Sequence, residues 1–176
     1  MKKYSKDTQY CFDDILMVPQ YSDINSRLDI GLGMFLNSRS YLSLPVIAAP
    51  MDTVCEYDMA IAMAKNGGLG FIHRFMPIEK QVDMIKKAFE QGIAVGASVG
   101  ARGSYFQDVK KLIHAGATAI LVDTAYGHSE YAIQAVSMIR DYFPDIHIMA
   151  GNVATAEGFY ARSEEHTSEL QSRETI

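Results

Sequence analysis

The sequence is poor in the features that would narrow its class quickly. Its 176 residues hold two cysteines, Cys11 and Cys55, too few for a disulfide scaffold. There is no basic excess: the net charge is −5, which argues against a nucleic-acid footprint. No apolar run approaches the roughly 18 residues of a membrane span, and the polar opening Met1-Lys2-Lys3-Tyr4-Ser5 leads into no signal-peptide core. No Walker A motif, Gly-x-Gly-x-x-Gly turn or metal-ligand spacing occurs. With 48% hydrophobic and 21% charged residues, the composition is that of an ordinary folded domain. The expectation is a soluble, cytoplasmic protein without nucleic-acid or membrane partners.

What is present is alternation. Short apolar runs at 45–49, 69–73, 93–97, 119–123 and 146–150 alternate with amphipathic stretches, the pattern of βα units on a parallel sheet. Near-continuous apolarity in the runs suits strands covered on both faces. Between them the spacing predicts helices. Pro77 takes a first helical position, with Ile78, Val82, Ile85 and Phe89 as its stripe and Gly92 as a left-handed cap. A capping box of Ser104 and Gln107 starts the next helix, which ends at Gly116. A third spans 129–142 and stops before Pro144. Asp52 or Thr53 is placed to cap an earlier helix over 56–66.

The repeat of about 25 residues fits an α/β parallel (β/α)8 TIM-barrel, incomplete, with about five of eight units present. A doubly wound open sheet is the alternative from pattern alone. The polar stretch from Arg162 onward resembles the in-frame translation of a DNA-sequencing adaptor. Residues 1–161 are therefore expected to be the N-terminal portion of a barrel, and 162–176 a non-native tail.

Parallel barrels build their sites from loops at the C-terminal strand ends. Four such ends carry polar or unusual residues: 49–54, His73-Arg74, 123–129 and 151–155. Asp123 closes a buried strand, so its charge needs a partner, and a ribose hydroxyl is a candidate. A glycine and an amide at Gly151-Asn152 permit close backbone approach and two-way hydrogen bonding. His73 reads as a satisfied structural group and Ser129 as a helix cap. Cys55 lies near a helix start, but no base is placed beside it, so it reads as structural. Cys11 is weaker still.

Five blocks in order, Phe12-Asp13-Asp14-Ile15-Leu16-Met17-Val18-Pro19, Ala49-Pro50-Met51-Asp52-Thr53-Val54, Gly67 to His73, Val122 to Ser129 and Ala150 to Thr155, resemble the IMP dehydrogenase / GMP reductase family. The resemblance implies a homotetrameric barrel acting on a purine nucleotide, IMP or GMP, with a nicotinamide cofactor. It implies that Ala49, Met51 and Asn152 line the nucleotide site, and that Asp123, Thr124 and Ala125 hold the cofactor ribose. Ser26 and Arg27 fall in a stretch that meets the cofactor in reductases, and Arg27 suits a 2′-phosphate. The family's catalytic cysteine, on a loop that also binds a monovalent cation in the dehydrogenases, follows the next barrel strand. Neither cysteine here inherits that role, no catalytic residue is assigned, and the chain as written is expected to show no turnover.

The two branches are separated by small signs. Ala49-Pro50-Met51 and Val122-Asp123-Thr124-Ala125 look like the dehydrogenases, which use NAD; reductases, which use NADPH, typically carry Asn before the Met. Against this, the inserted CBS pair usual in dehydrogenases is missing between Phe89 and Val95. The sequence favours a dehydrogenase lacking that pair, with the reductase and a non-catalytic nucleotide-binding fragment as alternatives.

Overall fold

A computed structural model of the chain describes residues 12–37 and 40–163. Cys11 and most of the expected non-native tail, 164–176, lie outside the described residues. The chain divides into two units, Met1–Gly31 and Leu32–Ile176. The described part of the first holds two 3-10 turns, Phe12–Asp14 and Arg27–Asp29.

The second unit opens with an antiparallel pair, β1 (Met34–Asn37) and β2 (Ser40–Leu42), which the sequence pattern did not reveal. Five parallel strands follow: β3 (Ile47–Ala48), β4 (Leu69–Ile72), β5 (Gly96–Val99), β6 (Ala119–Asp123) and β7 (His147–Gly151). They alternate with α1 (Tyr57–Lys65), α2 (Ile78–Glu90), α3 (Tyr105–His114) and α4 (Glu130–Tyr142), and α5 (Ala156–Ser163) comes last. Spatial order equals chain order, β3-β4-β5-β6-β7. A doubly wound sheet reverses its strand order partway; this one does not. The fold is the curled parallel half-barrel of an incomplete TIM-barrel.

Strand parity sets the two faces. Ala48, Ile72, Ala97, Ile120 and Val122 join one cluster with Ile61, Ile85, Leu112, Val136 and Ile139 of the helices. Leu69, Phe71 and Ala119 join Leu42 on the other face, with Leu36, Leu121 and Met149 packed at its edge. The helices thus cover one face, and the β1–β2 pair contributes to the other. That the runs read as continuously apolar follows from this double covering.

Helix ends follow their glycines. At the end of α2, Gly92 has φ +68°, its N–H donates to the Phe89 carbonyl and that of Ile93 to the Ala88 carbonyl. At the end of α3, Gly116 has φ +106°, with Ala117 N–H donating to the Leu112 carbonyl. Both are Schellman caps, which glycine adopts without the Cβ penalty.

Several local expectations are corrected. The third strand is Gly96–Val99 rather than 93–97, because Ile93 is still bound into the cap of α2. Phe89 is 61% exposed rather than inward; it lies over Gly116 instead, while Gln81, Met84, Ile85 and Ala88 form the buried face of α2. Ser104 makes no cap bond, since its backbone is not extended and its hydroxyl donates to Asp108. Ser129 makes none either. Glu56, not Asp52 or Thr53, stands at the N-cap of α1, because Met51 to Cys55 close a turn of their own.

One buried polar cluster ties this framework to the rim. Where the β4–β5 ladder ends at the Ile72–Ala97 pair, the Gln81 amide donates to the carbonyls of Ile72 and Ser98, and the Ser98 hydroxyl donates to Ile72. Gln81 and Ser98 are almost wholly buried. Groups buried this way need their partners, so α2 holds the upper ends of two strands together.

Candidate functional site

In a parallel sheet every strand ends on the same rim, so the loops after β3 to β7 share one side of the molecule. Parity that turns Ala119 and Leu121 away from the helices carries Asp123 to the top of that face. Opposite it stands Gly151, its ladder partner. The ladder continues past both strands. Thr124 N–H and its hydroxyl both donate to the Gly151 carbonyl at 2.9 Å. Asn152 N–H donates to Thr124, and Gly127 N–H to Asn152, each at 2.7 Å. The loops carrying Asp123-Thr124 and Gly151-Asn152 are thereby locked to each other.

Asp123, Thr124 and Ala125 line a cleft of about 410 Å³ together with Arg74, Arg102 and Tyr131. The Arg74 Nε–H donates to Asp123 Oδ2 at 3.3 Å, which supplies the partner that the strand-end acid needed. The Arg102 guanidinium lies 4.2 Å from the centre of the Tyr131 ring, a cation–π contact that also presents a flat surface. Two guanidiniums against one carboxylate favour an anionic ligand here, despite the acidic chain as a whole. A second cavity, of about 500 Å³, lies at the opposite rim between Leu42, Gly67, Gly92 and His147. It is larger, but it faces the N-terminal strand ends, where barrels place stability rather than chemistry.

Met51 and Asn152 stand on loops of the two outermost strands, with β4, β5 and β6 between those strands. Met51 is half-exposed; its carbonyl accepts from Val54 and Cys55, and its N–H donates to Ala49. Neither Met51 nor Ala49 lines the cleft around Asp123. Ser26 and Arg27 belong to the first unit, where the Ser26 hydroxyl accepts from Leu28 N–H and caps the Arg27–Asp29 turn.

His73 is structural. Its Nδ1 accepts from Phe75 N–H at 3.1 Å, so Nε2 carries the proton and donates to Glu56 at 3.2 Å. Glu56 also accepts from Lys80 at 3.1 Å. These bonds, Lys80 first and His73 second, hold the exposed Glu56 carboxyl below its usual range. Whatever stability it contributes is present above the unfolded carboxyl's pKa and fades as acid carries the pH down through the lowered folded value.

Cys55 is fully buried against Gly70, and burial pushes its thiol up to about 11. Such a thiol is inert at neutral pH. Iodoacetamide at pH 8 is expected to label the Cys55 peptide only when denaturant is present. Rapid labelling of the native protein, read by peptide mass spectrometry, would return Cys55 to the candidate nucleophiles.

Arg102 and Tyr131 escaped the sequence reading. The apolar run puts the third strand over 93–97, which hides the strand end at Gly100-Ala101-Arg102. Tyr131 looked like one more residue of a helix. Among the described residues no group of three or more His, Cys, Asp or Glu side chains could hold a metal ion. No helix among them is long and apolar enough to cross a membrane.

A family model described as IMP dehydrogenase / GMP reductase domain matches residues 9–168. The GMP reductase of Lactobacillus gasseri is 35% identical over 159 residues, covering 89% of this chain and 48% of the relative. That of Bacillus subtilis is 32% identical over 148 residues, covering 83% of this chain and 45% of the relative. The inosine-5′-monophosphate dehydrogenase of Nitrosopumilus maritimus is 25% identical over 271 residues, covering 84% and 57%. The chain spans about half the length of the curated relatives it matches.

Proposed function

The chain belongs to the IMP dehydrogenase / GMP reductase family of purine-nucleotide oxidoreductases, and on that premise we propose that the intact protein reduces GMP to IMP and ammonia with NADPH. The observation that carries the direction is continuity. With the Lactobacillus gasseri reductase the alignment of 159 residues uses 89% of the 176-residue chain, so the two run side by side. With the dehydrogenase the alignment runs over 271 residues but uses 84% of this chain, about 148 residues, so more than 100 positions have no counterpart here. Here α2 passes to β5 through residues 91–95 alone, within a cap fixed by Gly92. That is where the sequence noted the missing CBS pair.

In this reading the cofactor's ribose lies against Asp123, whose carboxylate accepts from adjacent hydroxyls. Thr124 and Ala125 form the adjoining wall. A flat ring of the cofactor rests by the Arg102–Tyr131 surface, and the Arg102 guanidinium draws its phosphates. NADPH, when bound, supplies the hydride; the residues of this chain bind and orient it. Met51 and Asn152 line the purine nucleotide, and Arg27, in the first unit, is the residue whose charge suits a 2′-phosphate. Homotetrameric assembly and a cytoplasmic location belong to the same reading.

Ala49-Pro50-Met51 favours a second reading, oxidation of IMP to XMP with NAD and a monovalent cation, the direction the sequence alone preferred. Assay of the purified intact protein separates the two. The expected result is NADPH consumption that requires GMP, with no NADH formed from IMP and NAD. The reverse pattern would install the dehydrogenase.

A further inference from the structure

We infer that Arg74 is a positioning residue for Asp123, setting the carboxylate that meets the cofactor; the inference rests on the reading of Asp123 as a ribose acceptor. Arg74 follows β4 and Asp123 ends β6, so the 3.3 Å bond between them spans the strand that lies between, β5. It can do so because β5 runs out into Gly100. A Cβ built there would have Arg74 Nη1 at 3.6 Å and Cζ at 3.9 Å as its nearest neighbours, so the guanidinium passes directly over this glycine. A larger side chain would stand in its path.

The base of Arg74 is fixed from several sides. The preceding residue, His73, accepts from Phe75 N–H and donates to Glu56, and its own N–H donates to the Cys55 carbonyl. Lys80 of α2 holds Glu56 in turn. The guanidinium itself lies 4.7 Å from the centre of the Phe75 ring. Arg74 thus leaves a rigid corner, and its planar head is confined between an aromatic ring, a glycine and a carboxylate. A carboxylate offers about four acceptor sites, of which the Nε–H takes one. The bond chooses which remaining sites face the cleft.

A plain surface ion pair would read differently. Side-chain exposures of 36% and 23% leave both partners in contact with water, and such pairs contribute little to folding. A merely structural role therefore predicts no change in cofactor affinity.

The test uses Arg74→Gln, Asp123→Asn and the double variant of the intact protein, with NADPH affinity read by fluorescence titration and KM for GMP measured alongside. Each single variant is expected to weaken NADPH binding about tenfold, the loss of one charge-assisted hydrogen bond at the site, without a matching rise in the KM for GMP. The double variant should be no worse than Asp123→Asn alone, because the arginine acts through the acid. Gly100→Leu should reproduce the Arg74→Gln defect, and Arg74→Lys should recover part of it. Additive losses in the double variant, an equal rise in the KM for GMP, or unaltered NADPH binding by Arg74→Gln would overturn the positioning role while leaving Asp123 its own. Unaltered NADPH binding by Asp123→Asn would overturn the ribose reading, and the positioning role with it.

Discussion

Replacing Gly70 with valine is expected to destabilise the intact protein by about 3 kcal/mol or more, at the upper end of overpacking costs. Gly70 lies in β4 with its missing side chain directed at α1. A Cβ there would stand 2.6 Å from Ala60 Cα, 3.0 Å from Ala60 Cβ and 3.1 Å from Cys55 Sγ. The first of these is helix backbone, and Ala60 has no flexible end to swing aside. Valine adds three carbons where even one does not fit, so α1 must lift from the sheet as a unit. A protein stable by roughly 5–15 kcal/mol overall has little margin for that. The Ala49 to Cys55 loop feeds directly into α1, so the displacement also reaches the rim. The denaturation midpoint and the soluble yield are the measurements. A midpoint close to that of the parent would mean that α1 is not seated as closely as Gly70 and Ala60 require.

Phe71→Ala is expected to cost about 3–5 kcal/mol, the range for deleting a buried aromatic ring. Phe71 is fully buried in the cluster on the sheet face away from the helices, with Leu42, Leu69 and Ala119. Its ring occupies the space over Gly96: a Cβ built on that glycine would meet the ring at 2.4 Å. Because the neighbouring position on β5 has no side chain, nothing nearby can collapse into the vacated volume. The same shape complementarity predicts partial repair. Adding Gly96→Ala to Phe71→Ala should recover stability, whereas Gly96→Ala alone should lower it. Unfolding free energies of the three variants form a cycle, and simple additivity would contradict direct ring-on-glycine packing.

These two glycines show where sequence reading stops. Both sit inside apolar runs, where they read as weak points of a strand. Only the packed structure reveals that one admits a helix and the other a phenylalanine ring. Arg74 gives the same lesson at the site. Its neighbour Asp123 in space is 49 residues away in sequence, and nothing local to either residue announces the pair. The demand for a partner was legible, since a charge at the end of a buried strand needs one. The partner's identity was not.

What the sequence determined by itself was what depends on short-range chemistry. Continuous apolar runs marked four of the five strands within two residues, and glycines with positive φ marked the ends of α2 and α3. Five ordered blocks of residues marked the family. The expected incompleteness of the barrel and the α/β class followed from the same alternation. What the tertiary structure decided was everything set by which residues meet across strands. It moved the third strand to Gly96–Val99, because a helix cap held Ile93 back. That shift brought Arg102 to the rim and left Gly100 as the passage for Arg74. The cleft beside Asp123 is the product of strand order and parity, which no single stretch of the chain contains.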